Sequence, residues 1–159
     1  MNSRQIYGLV KIDKLLYDNF CGVYAADTFN LNRNGFYIVN TAVSTHPGKH
    51  WVVYFKKGLY KEFFDSYGNN GNYYNMPDQT FFNTIRLQGD LPVCGYYCLC
   101  YCMMRCRGIS LRKITKMLKK NNSDVMVVKG IIKHFTFLLK LFNRIRIVPN
   151  AFHLKDRVI

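Results

Sequence analysis

Acidic residues are scarce in this chain of 159 residues. Nine Asp and Glu stand against 23 Lys and Arg, which gives a formal net charge of +14. This imbalance favours a polyanionic partner, with nucleic acid ahead of an anionic membrane surface. The composition does not indicate disorder, because 49% of the residues are hydrophobic and only 20% are charged.

Long apolar runs are also missing. No stretch of about 18 uncharged apolar residues occurs, so we expect no transmembrane helix. The first residues, MNSRQIYGLVKIDK, lack the apolar segment of a signal peptide. We therefore expect the six cysteines to be reduced thiols rather than a disulfide framework. The length predicts a single domain over residues 1–159.

A nearly uncharged segment, residues 94–107, predicts the central element of the fold. Pro92 restricts the residue before it, so a helix should begin near Cys94, and Gly108 should end it. A helix that is apolar nearly all round is a buried one. The Cys94 thiol would then lie at the positive end of a helix, which favours the thiolate. Gly95 would let the backbone approach a neighbour or a ligand.

The remaining pattern predicts a small mixed or antiparallel sheet packed against that helix, and hence an α+β fold. β-branched and aromatic residues predict three strands, and apolar residues at helical spacing predict the other helices. The predicted elements are a capped N-terminal helix reaching Leu16, strands over 36–43, 51–55 and within 59–68, a helical turn after Pro77, an extended segment at 84–88, and helices over 111–120 and 124–142.

The second and third strands predict a hairpin that joins a histidine to an acid. If its turn is centred on residues 57–58, His50 and Asp65 face each other at the open end. A carboxylate bound to one ring nitrogen fixes the tautomer and leaves the other nitrogen as a base. Together with Cys94, this pair is typical of a thiol hydrolase. His46 is the alternative base, and we favour His50 because it directly precedes the strand.

Four further cysteines could suggest a metal site: Cys98, Cys100, Cys102 and Cys106. Zinc sites usually draw on separated cysteine pairs held on loops, whereas these four lie inside one apolar helix. We therefore predict core packing for them, with no metal and no small-molecule cofactor.

The motifs IVNTA, GKHW, FFDSYG, LQGDLPVCGYYC and RCRG occur in this order between about Phe20 and Gly108. Together they resemble the adenain-like cysteine proteases, the maturation proteases of adenoviruses, which have relatives in Maverick/Polinton elements and adenovirus-like DNA viruses. The order is more distantly similar to that of the ubiquitin-like-protein proteases. The resemblance implies a papain-like fold and a monomeric viral endopeptidase, active in the virion and host nucleus, that processes capsid and core precursor proteins.

The resemblance also implies roles for individual residues. Cys94 would be the nucleophile, His50 the general base, and Asp65 the acid that orients His50. The side chain of Gln88 and the backbone N–H of Cys94 would form the oxyanion hole. Trp51 is either a core residue or, with Gly95, part of a narrow substrate cleft, for which the resemblance implies cleavage at Gly-containing sites.

Two departures from the family pattern bear on these expectations. The acid is Asp65, where the adenovirus enzymes have Glu and their relatives have Asp, and residues 66–87 contain no cysteine. Family members are activated by a viral peptide linked through a cysteine in that region. Any activating peptide would therefore bind this chain non-covalently.

Basic residues form a second set, for which the family implies sequence-independent binding of double-stranded DNA as an activating surface. The candidates are Arg112, Lys113, Lys116, Lys119 and Lys120 on one short helix, with Lys129 and Lys133 on the next. Few aromatic residues interleave with them, so we expect phosphate contacts rather than base stacking.

Two other functions fit parts of the same pattern. One is an isopeptidase that acts on ubiquitin-like modifiers through the same thiol chemistry. The other is a non-enzymatic, basic DNA-binding virion protein that retains a protease fold.

Overall fold

The computed structural model describes residues 1–77, 79–121 and 123–146, and the predicted domain beyond residue 146 lies outside this range. The predicted α+β class is confirmed, with a five-stranded sheet and five α-helices in the described part. The elements are α1 (Ser3–Val10), α2 (Lys14–Asp18), β1 (Phe20–Ala25), β2 (Gly35–Asn40), β3 (Trp51–Lys57), β4 (Tyr60–Phe64), a 3-10 turn (Gly71–Tyr74), β5 (Phe81–Phe82), α3 (Cys94–Cys106), α4 (Leu111–Asn121) and α5 (Asp124–Arg146). None of the described helices combines the length and apolar character that crossing a membrane requires.

The sheet is mixed, with strand order β1-β2-β3-β4-β5. The central pairs β2–β3 and β3–β4 are antiparallel, while the outer pairs β1–β2 and β4–β5 are parallel. All of β2 is buried, as its β-branched and aromatic sequence predicts. Strand β1 lies in an Asn- and Gly-rich stretch, residues 18–35, for which the sequence predicts a loop with a short extended piece, and β5, with only two residues, was not predicted.

Helix α3 packs across the sheet, and the prediction of a buried helix that begins at Cys94 is confirmed. Cys98 is fully buried, and its Sγ donates a hydrogen bond to the backbone oxygen of Trp51 at 3.2 Å. The Tyr101 ring stacks on that of Phe64, with centroids 4.6 Å apart. Polar and aromatic contacts thus fix the helix against β3 and β4.

The N-terminal segment forms two helices, so the single predicted helix was wrong. Its start is confirmed, since the Asn2 side chain accepts a hydrogen bond from the backbone of Gln5 at 2.9 Å. The break occurs at Asp13, whose carboxylate accepts a hydrogen bond from the backbone N–H of Leu16 and so begins α2. Asp is a preferred residue at such a helix start.

The segment between β4 and α3 also differs from its prediction. The helical turn precedes Pro77 instead of following it, because Asn70 caps the turn through its side chain. Residues 84–88 contain no strand, and the short strand lies earlier, at Phe81–Phe82.

A buried acid ties α3 to β4. Glu62 on β4 is fully buried and accepts a hydrogen bond from Arg105 Nε at 3.0 Å. The hydroxyl groups of Tyr60 and Tyr101 also donate to its carboxylate. A buried carboxylate is tolerable only with such partners, so these three donors are part of the stability of the fold.

We expect Arg105→Met to lower the free energy of unfolding by about 3 kcal/mol, because it leaves the buried Glu62 carboxylate without its cation. Urea denaturation followed by circular dichroism measures this loss. The control is Lys14→Gln, which removes the exposed pair with Asp18 and should cost under about 1 kcal/mol. Equal losses in the two variants would contradict the structural role of the buried pair.

Candidate active site

The hairpin of β3 and β4 has a different register from the predicted one. Lys57 pairs with Tyr60, so the two residues between them form the turn. The first of these, Gly58, has φ of +60°, a conformation that glycine adopts at little cost. The ladder is therefore shifted by two residues relative to a turn centred on residues 57–58.

This register places Tyr67 rather than Asp65 across from His50 when the ladder is extended to its open end. The rings of His50 and Tyr67 stack with centroids 4.6 Å apart and an interplanar angle of 23°. His50 still reaches Asp65, diagonally, with Nε2 and Oδ1 separated by 2.6 Å. The predicted contact is thus present, although the predicted register was wrong.

Asp65 is held rigidly in a buried position. Besides His50, its carboxylate accepts hydrogen bonds from the backbone N–H of Tyr67 at 2.9 Å, the backbone N–H of Asn69 at 3.1 Å and the hydroxyl of Tyr74 at 2.8 Å. Burial alone would raise the pKa of Asp65, but the hydrogen bonds from His50 and these donors keep it below its usual value. The carboxylate is therefore charged at neutral pH and fixed in orientation.

The thiol of Cys94 interacts with the same imidazole. Burial alone would lower the pKa of His50, but hydrogen bonds with Asp65 and Cys94 raise it to about 9. Burial alone would raise the pKa of Cys94, but the hydrogen bond with His50 and the backbone N–H groups of Trp51 and Gly95 lower it. These opposed shifts favour a thiolate–imidazolium pair.

The pair predicts a distinctive pH profile for reaction of Cys94 with iodoacetamide. The thiolate should persist below pH about 8.5, the ordinary pKa of a cysteine. Peptide hydrolysis additionally needs the proton on His50, so kcat/KM should fall as pH rises through about 9. Alkylation rates and kcat/KM measured from pH 5 to 10 check both limbs. An alkylation midpoint near 8.5 that His50→Ala does not move would contradict the pair.

Gln88, the predicted oxyanion donor, is 2% exposed and already hydrogen-bonded. Its Oε1 accepts from the Ser66 hydroxyl at 2.7 Å, and its Nε2 donates to the backbone oxygen of Leu91 at 2.6 Å and to the Tyr67 hydroxyl at 3.3 Å. Helix α3 begins without a side-chain cap at Val93, and in its first turn the Gly95 N–H bonds to the Cys94 thiol. A substrate oxygen that accepted a hydrogen bond from Gln88 Nε2 would replace the Tyr67 hydroxyl, which is the more distant of the two present acceptors.

Asp124, at the start of α5, braces the loop that follows Gln88. Its carboxylate accepts hydrogen bonds from the backbone N–H of Gly89 at 3.0 Å, the backbone N–H of Leu91 at 3.2 Å and the Tyr97 hydroxyl at 3.0 Å. Sequence reasoning missed this residue. One feature of the sequence could have indicated it, because Asp124 is the single acidic residue between residues 111 and 146.

The two predicted cleft residues pack against the start of the chain. Trp51 is 8% exposed, and its indole N–H donates to the backbone oxygen of Met1 at 3.0 Å. A Cβ atom added to Gly95 would lie 3.2 Å from the Met1 side chain and 3.5 Å from the Trp51 ring. Of the two sequence alternatives, Trp51 is therefore a core residue here, and Gly95 makes room for a neighbour.

The other histidines in the described part take no part in this arrangement. His46 is exposed, and its ring lies 3.1 Å from the hydroxyl of Thr45. His134 lies 2.9 Å from the Asp13 carboxylate, which also binds Arg107 at 2.7 Å. His50 is thus the histidine that contacts both an acid and a thiol.

Of the remaining thiols of α3, Cys98 and Cys102 lie in the core, as predicted, while Cys100 and Cys106 are half-buried and pack against it. Burial raises the pKa of Cys98 and Cys102 well above the usual value and that of Cys100 to about 11. Among the described residues, no group of three or more His, Cys, Asp or Glu side chains is placed to hold a metal ion. Cys94 is the one thiol of the described residues with a lowered pKa.

The predicted DNA-binding residues all carry exposed side chains, on α4 and α5. Within the described ranges, none of these seven cations forms an ion pair. Their charge is therefore available to an anionic partner.

Comparison of the chain with protein-family models gives no match, and comparison with curated proteins gives none either.

Proposed function

We propose that the protein is a cysteine endopeptidase of the adenain-like type, which cleaves capsid and core precursor proteins in the virion and host nucleus. The observation that carries this proposal is the series Cys94, His50 and Asp65: His50 hydrogen-bonds the buried Asp65 at 2.6 Å, and its interaction with Cys94 lowers the pKa of the thiol while its own pKa is raised. The motifs that resemble this family coincide with the residues of that series.

The proposed fold type is papain-like. In support, the thiol lies at the N-terminus of a buried helix, while the imidazole and carboxylate lie at the ends of two paired strands. The helix supplies partial positive charge to the sulfur, and the sheet fixes the base. Metal chemistry has no part in the proposed reaction.

The first half of the proposed reaction forms a thioester. The Cys94 thiolate attacks the peptide carbonyl carbon, and the carbonyl π electrons move to the oxygen. That oxygen would accept hydrogen bonds from Gln88 Nε2 and the backbone N–H of Cys94. His50, as imidazolium, then gives its proton to the departing amine while the C–N bond breaks.

The second half releases the new carboxyl end. Neutral His50 removes a proton from water, whose oxygen attacks the thioester carbon. The C–S bond breaks, the thiolate is restored, and His50 keeps the proton for the next cycle. Throughout, Asp65 keeps Nε2 engaged, which leaves the opposite nitrogen of the ring for proton transfer.

Double-stranded DNA is the proposed partner of the basic surface, bound through phosphates and acting as an activator. A non-covalent viral peptide is a further proposed activator. Supporting the first are the net charge of +14 and the exposed, unpaired cations described above. The logarithm of duplex affinity should fall linearly with the logarithm of salt concentration. A flat response would remove DNA from the proposal without touching the protease.

The decisive experiment incubates the purified protein with capsid and core precursor proteins, with and without duplex DNA, and sequences the new termini. Cleavage at Gly-containing sites, faster with DNA, is the expected result. A ubiquitin-like modifier with a diglycine tail serves as the comparison substrate. Preferential cleavage of that modifier would favour the isopeptidase. If none of the substrates yields new termini, the proposed activity is rejected.

A further inference from the structure

A cavity lies between β5 and α4, and its lining includes none of Cys94, His50 and Asp65. The cavity has a volume of about 880 Å³ and a mostly apolar lining. Phe81 and Phe82 form part of one wall, and α4 forms the other. Within the described residues, no acidic side chain lines it. This volume and character are those of a binding groove rather than a packing defect.

The α4 wall carries a row of positive charge. Arg112, Lys116, Lys119 and Lys120 line the groove, and each has an exposed side chain. Residues three or four apart lie on one helix face, so these charges repeat at about one helical turn, roughly 5.4 Å. A row of cations suits a ligand with repeated negative charges better than one with a single charged group.

The opposite wall carries aromatic surface. Phe81 is 48% exposed, and its ring stacks on Tyr60 with centroids 4.9 Å apart at 26°. Phe82 is 38% exposed. Few aromatic residues interleave with these lysines along the sequence, but the rings of this wall come from a distant part of the chain. Exposed aromatic rings beside a basic track are the two components of a single-strand site.

We propose that this groove binds an unpaired nucleic-acid strand, with phosphates along α4 and a base stacked on Phe81. In a duplex the base faces are already stacked on one another, so an aromatic wall adds nothing to duplex binding. In an unpaired strand every base offers a face to a ring. The inference deepens the proposed DNA binding and rests on it, but not on hydrolysis.

Fluorescence anisotropy of the full chain with labelled 12-nucleotide oligo-dT, oligo-rU and a duplex of equal length tests the inference. We expect Phe81→Leu to weaken single-strand binding about fivefold or more while changing duplex binding less than about twofold. Phe137→Leu is the matched control, since Phe137 is 58% exposed on α5 and outside the groove. Circular dichroism and thermal unfolding confirm that each variant is folded.

A second pair of variants addresses the charged wall. Lys116→Gln should weaken oligo-dT binding more than Lys14→Gln, which removes the same charge from an exposed ion pair elsewhere. The dT and rU arms identify which nucleic acid is preferred, and dependence of either on Phe81 supports the groove.

Three outcomes would overturn the inference. They are duplex binding without single-strand binding, single-strand binding that Phe81→Leu leaves unchanged, and competition by an acidic, Phe-containing peptide as effective as by oligo-dT. If duplex binding is still measured in these cases, duplex DNA remains the proposed partner. Loss of both kinds of binding removes that partner as well, and neither result bears on peptide hydrolysis.

Discussion

Cys94→Ala is expected to reduce kcat/KM for a Gly-containing peptide by at least about 10⁴-fold, because the nucleophile of the proposed reaction is lost. Peptide hydrolysis followed by fluorescence measures this loss. Iodoacetamide in substoichiometric amounts should label Cys94 first, since the pKa of this thiol is lowered while burial raises that of its neighbours on α3.

The matched control for that substitution is Cys100→Ala, on the same helix. Burial raises the pKa of Cys100 to about 11, and it lies outside the proposed reaction, so hydrolysis should change less than about threefold. Hydrolysis that survives Cys94→Ala, or uniform labelling of the thiols, would favour the non-enzymatic basic protein.

Asp65→Asn is expected to lower kcat/KM about 10³-fold with little change in size or shape. The carboxylate accepts hydrogen bonds from four donors, one of them His50. The Asn side chain would replace one acceptor oxygen by an N–H₂ group, which cannot accept hydrogen bonds from the donors around Asp65. It would also favour the wrong tautomer of the His50 imidazole. Removing the negative charge also removes the main support for the raised pKa of His50.

The pH profile separates this effect from simple destabilisation. In Asp65→Asn, the alkaline limb of kcat/KM should move from about 9 to lower pH, because the imidazolium loses its counter-charge. Tyr74→Phe is the control, since it removes one hydroxyl donor and leaves the carboxylate in place. An alkaline limb that stays at its original pH in Asp65→Asn would mean that Asp65 does not act through His50.

The sequence predicted the parts of the site that depend on local chain signals. Pro92 and Gly108 bound a segment with little charge, and the helix between them begins at Cys94 as expected. The hairpin was recognisable from its two apolar runs, but Lys57 and Gly58 do not specify which residues occupy the turn. A change of two positions therefore hid the stacking of Tyr67 on His50.

Contacts between distant segments were beyond the sequence. Asp124 stands 33 residues from Leu91 along the chain, and its role requires α5 to begin beside that loop. The approach of Phe81 to the cations of α4 likewise depends on the parallel pairing of β5 with β4. The spacing of apolar residues predicts which face of a helix is buried. It does not predict which other element lies next to the exposed face.

The bonds that Asp124 accepts have a dynamic consequence. The amides of Gly89 and Leu91 are hydrogen-bonded to Asp124 in the first turn of α5. They can therefore exchange with solvent only when that turn unfolds locally. Their deuterium uptake should therefore follow that of the helix end rather than that of an ordinary loop. Unwinding at the N-terminus of the helix that carries Lys129 and Lys133 would loosen the loop next to Gln88. A partner bound to that helix would lower the deuterium uptake of the loop.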